Sequence, residues 1–458
     1  MCRATTTSNP ESKRASPERD TNDGSPKKSK SIGAEGVPTD VAVTKSLPTE
    51  IPEKYKLWKA TMGFCQRWES DNDALGVRNV MAVFYLLAKC VAAGHAERPA
   101  FMDYFPTDER WFKYVGRFLA LYCRDVTHGG HQIRLSATTT KTAEEIGGVK
   151  IETLKTAGGF DAMAELINAD CKEATKGKIP EIVKGSDLED PKLQLVAMAA
   201  EFIKGTFCAP FKNDTQVDWV FHGTEGHEKG TCHLMCQKEI TRDVVTFKRN
   251  TFEAAVLSTK TSDGQPSTIK LVAVLPNADE VTEKTGQTSK HAMDTAKREF
   301  AFSIDTLASL VATPHDQLLP DTQKKVEMPR IERKMAPFNL TSMCGKELPN
   351  ALMSSLDYIT EVNEDGEWKM DPMHVSKVVH ATYLKVDETG FEAAAATAVI
   401  AFRSLSADCD EDKPILRFDR GFLFYILDMN EDTPHVLYHA RIESDVGLKD
   451  APAAPKED

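Results

Sequence analysis

Apolar positions change their spacing from the first part of the chain to the second. In the first part they recur every three to four residues, as in Tyr55, Trp58 and Met62. This spacing places them on one face of a helix. The pattern predicts helices at Tyr55–Trp68, Val80–Ala93, Trp111–Arg124 and Phe160–Glu173.

In the second part, short runs of β-branched and aromatic residues lie between turn-forming residues, which is typical of strands. We predict strands at Leu193–Ile203, Cys232–Gln237, Phe252–Ser258, Ile269–Leu275, Val326–Pro329, Ala381–Val386 and Phe422–Asp428. Helices are expected at Thr295–Leu310 and Met373–Val379. No repeat and no Gly/Pro-rich linker divides these elements, so we expect one large α+β domain over residues 51–444.

The two ends of the chain differ from this domain. Residues 1–50 lack aromatic side chains, and residues 445–458 are also polar, so both are predicted to be disordered tails. Pro26–Lys30 is either a weak nuclear signal or a solvated basic patch. No leader-like or membrane-spanning apolar run is visible. We therefore expect a cytoplasmic or nuclear protein with no membrane partner.

Composition narrows the function further. The 458 residues carry a net charge of −12, which argues against a nucleic-acid partner because such proteins usually present a basic face. The 10 cysteines are dispersed, and the expectation is free thiols in a reducing compartment.

One cluster could bind zinc, namely His222, His227, Cys232, His233 and Cys236. Its spacing matches no closed zinc motif, so a metal-binding regulatory protein is only a third hypothesis. No phosphate-binding loop, nucleophile elbow or zinc-protease helix is present. We therefore expect no cofactor, no metal and no enzymatic activity.

The segment Val386–Phe402 carries the most information. Its alanine run favours a helix by propensity alone. Its flanks do not, because a strand pattern precedes it and Asp387–Gly390 forms a turn or hinge. A loop of about twenty residues then follows, and loops of that length are usually functional or disordered.

Four motifs occur here in one order. Glu388–Thr397 reads E-T-G-F-E-A-A-A-A-T, preceded by His374–Ala381 and followed by Phe418–Phe424 and Leu437–Ile442. Together they resemble the hinge, the preceding strand and the closing strands of the serpin family. Weaker similarity covers Ile167–Ile179 and other short segments, including Phe202–Phe207 and Met328–Arg330. Residues 51–160 match in helical character only.

The resemblance implies a serpin fold, with about eight or nine helices, three β-sheets and an exposed reactive-centre loop near residues 388–416. It also implies a monomeric protease inhibitor that acts as a suicide substrate. A trypsin-like serine or papain-like cysteine protease would cleave the loop, which then inserts into the central sheet. The implied hinge residues are Glu388, Gly390, Phe391, Glu392, Ala393, Ala394, Ala395, Ala396 and Thr397.

The reactive bond is expected at Arg403–Ser404, since Arg403 suits an acidic specificity pocket. Counting from the hinge by the commonest family loop length gives Ser404–Leu405 instead. His380 and Ser376 are expected near the region where the sheet opens. In the hinge, small side chains at alternate positions such as Ala393, Ala395 and Thr397 would enter the core.

Several departures favour an alternative, a non-inhibitory serpin that is a protease substrate, a chaperone-like protein or a partner-binding scaffold. Phe391 stands where the family has Thr or Ser, and a ring there is expected to slow insertion. Gly421 replaces a proline. In the family, a cluster of polar side chains controls the opening of the sheet. Val80–Val83 and Ala199 stand where polar members of that cluster are usual, so His380 is the member that remains.

Overall fold

Strands outnumber helices in the computed structural model of the chain. It describes residues 50–67, 74–92, 117–124, 137–189, 195–237, 243–313, 323–334, 359–362, 368–373, 377–393, 414–430 and 434–446, and the short stretches 102–103, 105, 127–128, 131–132, 134–135, 240–241, 338–339 and 448. All statements below concern these residues.

Seven α-helices lie in the described part of the chain. They are α1 (Lys56–Arg67), α2 (Val77–Ala92), α3 (Ala137–Ile146), α4 (Gly159–Ala174), α5 (Glu280–Thr285), α6 (Lys290–Ala301) and α7 (Ile304–Ala312). Helix α6 begins at a serine cap, where the Ser289 hydroxyl accepts a hydrogen bond from the Ala292 amide at 2.9 Å. Helix α4 ends where Lys176 and Gly177 adopt positive φ angles of 53° and 82°.

The largest sheet has ten strands. Its spatial order is β1 (Ala74–Leu75), β24 (His435–Ile442), β23 (Phe422–Asp428), β13 (Pro266–Pro276), β12 (Phe252–Lys260), β8 (Ile203–Phe207), β21 (Gly390–Ala393), β20 (Tyr383–Asp387) and β15 (Ile331–Lys334), and β11 (Val244–Lys248) also pairs with β12. All neighbours in this sheet are antiparallel; β11, β12 and β13 pair in sequence order, as do β23 with β24 and β20 with β21, and the other pairs join strands far apart in sequence.

Two further sheets are of moderate size. The five-stranded sheet has the order β16 (Phe338–Asn339), β19 (Lys377–His380), β7 (Leu195–Glu201), β2 (Arg117–Arg124) and β6 (Val149–Leu154). The four-stranded sheet has the order β22 (Ile415–Arg417), β14 (Lys325–Pro329), β10 (Gly230–Cys236) and β9 (Lys212–Phe221). Small sheets contain β18 (Trp368–Met373), β17 (Ile359–Val362) and β5 (Arg134–Leu135), and β3 (Thr127–His128) with β4 (His131–Gln132).

The ten-stranded sheet is buried on both faces. Along β23, Leu423, Tyr425 and Leu427 join one apolar cluster with α1, α2 and α6, and the alternate residues join a second cluster. Tyr425 stacks on Phe300 of α6 with ring centroids 4.6 Å apart. The structure therefore confirms a mixed α and β fold with a large core, and adds two small sheets to the three that were expected.

Two predicted helices are wrong. Arg117–Arg124 of the segment Trp111–Arg124 is the strand β2. In the segment Met373–Val379, Met373 ends β18 and residues 377–379 belong to β19. In β2, Leu119 and Leu121 face one apolar cluster while Ala120 and Tyr122 face another. A strand that is apolar on both faces shows no alternation, so its pattern resembles that of a buried helix.

Smaller differences have local causes. The predicted helix Thr295–Leu310 is divided into α6 and α7 at Ser303. The Ser303 hydroxyl donates to the Glu299 carbonyl oxygen at 3.0 Å at this break. The cysteines that the structure describes, from Cys65 to Cys236, are free thiols, and five of the seven are buried.

Candidate functional site

The first hinge residues already form a strand inside the ten-stranded sheet. Strand β21 lies between β8 and β20 and is antiparallel to both. Phe391 pairs with Gly205 on one side and with Val386 on the other. The reactive loop was expected to be exposed from about residue 388, but in the described chain it remains part of the sheet as far as Ala393.

A tight turn joins β20 to β21. The Asp387 carboxylate accepts hydrogen bonds from the Thr389 amide at 2.9 Å and from the Thr389 hydroxyl at 2.7 Å. Burial alone would raise the pKa of Asp387, but these hydrogen bonds and Lys385 outweigh it and lower the pKa below its ordinary value of 3.8. The turn is also held by the Phe207 amide, which donates to the Thr389 carbonyl at 2.9 Å.

An ion pair fixes the start of the turn. The Arg330 Nε donates to Glu388 Oε1 at 2.7 Å, and a second Arg330 nitrogen contacts the same oxygen. The two side chains are 12% and 16% exposed. Because both groups are largely shielded from water, this pair should contribute more than a surface ion pair does.

Phe391 points into the core. It is 2% exposed and belongs to the cluster that contains Phe207, Leu384 and Val386. Its ring packs edge-on against Phe207 with centroids 6.3 Å apart. A Cβ atom at Gly205 would lie 2.5 Å from the tip of the Phe391 ring, so the glycine makes room for the ring.

Gly390 is required by close approach. A Cβ atom there would collide with the carbonyl oxygen of Gly205 in the neighbouring strand. Its role in the described structure is therefore to let β21 approach β8, in addition to the backbone freedom that we expected from the sequence. The ring that was expected to hinder entry into the sheet already lies within it.

Glu392 points to the face of the sheet opposite to Phe391. It is 8% exposed and lies 3.3 Å from Lys204 Nζ of β8 and 3.7 Å from Lys178 Nζ, which follows α4. The ammonium of Lys178 also lies over the Tyr383 ring, 5.3 Å from its centroid. Burial, followed by nearby carboxylates, raises the pKa of Tyr383 to about 12, so this phenol is neutral at physiological pH.

Other predicted site residues lie outside the described part of the chain. These are Ser376, Ala394, Ala395, Ala396, Thr397, Arg403, Ser404 and Leu405. His380 lies in β19, where it pairs with Phe338 of β16. Beyond the loop, β22 begins at Ile415 and runs parallel to β14.

Two departures from the family pattern have structural explanations. Ala199 and the buried residues of Val80–Val83 belong to one apolar cluster in which α2 packs on β7. Gly421 donates its amide to the Gly223 carbonyl at 2.8 Å, and a Cβ atom there would collide with the Thr224 hydroxyl. Proline could not make this hydrogen bond.

The third hypothesis, a metal centre, finds no support in the described residues. Among them, no group of three or more His, Cys, Asp or Glu side chains is placed to hold a metal ion. Cys232 is buried in an apolar cluster on β10, and the thiol pKa is raised to about 12 by burial. None of the described helices is long and apolar enough to cross a membrane.

Sequence reasoning pointed to the segment that forms β21 but missed the residues that contact it and the turn before it. Lys178, Lys204 and Arg330 each lie in a segment with weak family similarity, which marked their positions without giving them a role. Their contacts join residues that are distant in sequence: Lys204 and Glu392, for example, are 188 positions apart. No local pattern reports a contact of that range.

Comparisons with known proteins agree with the arrangement of strands. The family model described as "Serpin (serine protease inhibitor)" matches residues 130–440. The leukocyte elastase inhibitor of Sus scrofa is 26% identical over 308 residues, which cover 67% of this chain and 72% of that protein. Serpin B6 of Pongo abelii is 23% identical over 295 residues, 64% of this chain and 69% of that protein.

A solved structure extends the likeness to most of the fold. Arabidopsis AtSerpin1 in its native stressed conformation superposes with a TM-score of 0.58 at 14% sequence identity, over 86% of this chain and 98% of that chain. An identity this low supports the fold alone. The family match, the seated hinge strand and the shared architecture together show that the chain belongs to the serpin family.

Proposed function

We propose that the protein inhibits proteases by presenting its reactive loop as a substrate and inserting the cleaved loop into its sheet. The observation that carries this proposal is the position of β21. Its four residues pair with β8 and the first three also pair with β20, at the point where an inserting loop would begin. Further insertion would continue a strand that already exists.

The path of insertion follows from the sheet. Past Ala393, an extended strand would run between β7 and β19, which now pair with each other at Val196–Lys377 and Ala197–Val378. Alternation from Phe391 would direct Ala393, Ala395 and Thr397 toward the core. These residues are small enough to enter without overpacking, which costs about 1–3 kcal/mol where larger groups are forced in.

The chemical step is supplied by the protease. Its serine or cysteine attacks the carbonyl carbon of Arg403, and the bond to Ser404 breaks. The Ser404 nitrogen leaves with a proton, and the Arg403 carbonyl stays on the protease as an ester or thioester. Strand formation then moves the attached protease away before water can hydrolyse that bond, driven by new ladder hydrogen bonds and burial.

Incubation with a small molar amount of trypsin or cathepsin L tests the proposal. We expect a trypsin complex that survives denaturation, and lasting loss of cathepsin L activity with the loop cleaved. Mass spectrometry should find a C-terminal fragment that starts at Ser404, whereas a fragment that starts at Leu405 would support the alternative bond. Arg403→Ala is the control and should abolish trypsin trapping.

A second candidate is a non-inhibitory serpin-fold scaffold or protease substrate. It is favoured by the apolar contact between α2 and β7, where Ala199 and Val80 stand in place of polar residues. Cleavage of the loop with full recovery of protease activity would favour it over inhibition. The monomeric state and the cytoplasmic or nuclear location stay predictions, which gel filtration and fractionation can test.

A further inference from the structure

Helix α4 and the segment that follows it cover the place where the sheet must open. Ile179, Ile182, Val183 and Leu188 of this segment are buried in one cluster with side chains of β7 and with Tyr383 of β20. We call α4 together with residues 175–188 the cover. This cluster joins the cover to β7 and to β20, which follows β19 in the chain, so separating β7 from its neighbour β19 requires the cover to shift.

The cover is stiff because one side chain joins its two parts. The Asn168 carbonyl oxygen accepts hydrogen bonds from the amides of Ile182 at 2.8 Å and Val183 at 3.1 Å. The Asn168 amide nitrogen donates to the Val183 carbonyl at 2.8 Å. Helix α4 and residues 182–183 should therefore move as one unit.

The cover is fastened at a first point away from the hinge. The Asp170 carboxylate of α4 accepts hydrogen bonds from the Tyr122 hydroxyl of β2 at 2.6 Å and from Lys150 Nζ of β6 at 2.7 Å. These strands form the far side of the five-stranded sheet from β19. We call the line between β7–β8 on one side and β19–β20 on the other the seam. A cover held only at Asp170 could still lift from it.

Lys178 supplies the second fastening, at the seam itself. Its ammonium lies 3.7 Å from Glu392 of β21 and over the Tyr383 ring of β20. Its side chain is 21% exposed, and the Glu392 side chain is 10% exposed. Glu392 therefore contacts the cover through Lys178 and the sheet through Lys204.

We propose that the Lys178–Glu392 ion pair is a brake that stops loop insertion at Ala393 in the uncleaved protein. Entry of Gly390–Ala393 brings Glu392 beneath the cover, and the ion pair then holds the cover over the path of the next residues. This proposal rests on the proposed function, because it concerns the progress of the same insertion. Lys178 and Glu392 act here as positioning residues, and neither contacts a protease.

The two lysines allow a matched test. Replacing Lys178 frees the cover, whereas replacing Lys204 weakens the seat of Glu392 in the sheet and leaves the cover fastened. Lys172, an exposed lysine of α4, serves as a surface control. The variants are Lys178→Met, Lys204→Met and Lys172→Met, with Lys178→Arg as the conservative replacement.

The probe is a fluorescently labelled synthetic peptide with the sequence of residues 394–403, which would anneal between β7 and β19 without any protease. We expect Lys178→Met to anneal it about three- to tenfold faster than wild type, the size of effect typical of one partly shielded ion pair. Lys204→Met and Lys172→Met should stay within about twofold, and Lys178→Arg should restore the slow rate. Annealing to wild type should also quicken with salt, and annealing to Lys178→Met should not.

Equal rates for Lys178→Met and Lys172→Met would overturn the brake, as would equal acceleration by Lys178→Met and Lys204→Met. If Lys178→Met does not fold, Glu392→Gln replaces it, and the readout is amide exchange at Ile182 and Val183 of the cover. Faster exchange in this variant would support the brake, and unchanged exchange would overturn it. The readout separates the two proposals. A protein that fails to trap proteases can still show the brake, and one that traps them can still lack it.

Discussion

The seam between β7–β8 and β19–β20 has two halves, which differ in how their strands pair. In one half β8 and β20 are held apart by β21, and Phe391 fills the space beside Gly205. In the other half β7 and β19 pair directly, and α2 backs β7 with apolar side chains. We call the half that contains β21 the open half, because β8 and β20 are separated there and Gly205 leaves room for the Phe391 ring. We call the half in which β7 pairs directly with β19 the closed half.

This difference indicates what limits insertion. The open half shows that the sheet accepts a large side chain when the neighbouring strand leaves room for it. The closed half must break direct strand pairing and displace the cover before Ala393 can be followed by another residue. On the proposed mechanism, the resistance to insertion would lie in the closed half and its cover, because the ring of Phe391 already lies within the sheet.

The largest effect should come from a charge on the core face of the inserting strand. Thr397→Arg would place an unpaired guanidinium in a packed interior, at a cost of several kcal/mol. We expect the loop to be cleaved at a normal rate while covalent trapping falls more than about tenfold, since 1.4 kcal/mol already corresponds to a factor of ten. The number of inhibitor molecules consumed per trapped protease measures this.

A threonine-to-serine replacement at position 397 is the matched control and should trap as wild type does. Continued trapping by Thr397→Arg would mean that position 397 does not enter the core. The loop would then not insert between β7 and β19 in the register proposed above.

A smaller effect is expected from emptying the open half. Phe391→Ala removes a ring that is 2% exposed, and comparable core truncations cost about 3–5 kcal/mol. We expect the variant to relax by releasing β21 from the sheet, so that the measured loss in the free energy of unfolding is smaller, about 2 kcal/mol. Denaturant unfolding measures it, and limited proteolysis should newly detect cleavage near Glu392.

Phe391→Leu keeps most of the apolar volume and should lose less than about 1.5 kcal/mol. If the alanine variant unfolds at the same denaturant concentration as wild type, the ring is not seated as described. Trapping efficiency gives a second reading, because a loosened hinge changes how the loop is presented to a protease.

Some strands of the ten-stranded sheet, such as β12 and β23, were predictable from their local character. Phe422–Asp428 is bounded as the pattern indicated, and Phe252 begins its strand as expected. The strand β2 was not predictable in this way, since apolar contacts on both faces removed its alternation. The insertion of β21 was also hidden, because it depends on the fit between Gly205 and Phe391, which no local spacing encodes.

The smallest effect concerns the turn that leads into β21. The pKa of Asp387 is lowered in the folded protein, so its carboxylate stabilises the fold when ionised. This contribution is complete above the ordinary value of 3.8 and is lost as pH falls through the lower folded value. Amide exchange at Phe391 should therefore accelerate below about pH 4 relative to a distant strand such as β23.

Asp387→Asn should remove that pH dependence and destabilise the protein by about 1 kcal/mol or less, the scale of a single hydrogen bond. An unchanged pH profile in the variant would assign the acid sensitivity to another group. Nuclear magnetic resonance or mass spectrometry of exchanged amides can follow both proteins.

The most direct test of the account is the thermal melt of the protein after a single cleavage in the reactive loop, with the cleavage position verified by mass spectrometry. Continuation of β21 between β7 and β19 adds a buried strand to the sheet, so the cleaved protein should melt far above the intact one. A cleaved protein that melts at the same temperature as the intact one would contradict insertion, because no strand would then have been added to the sheet.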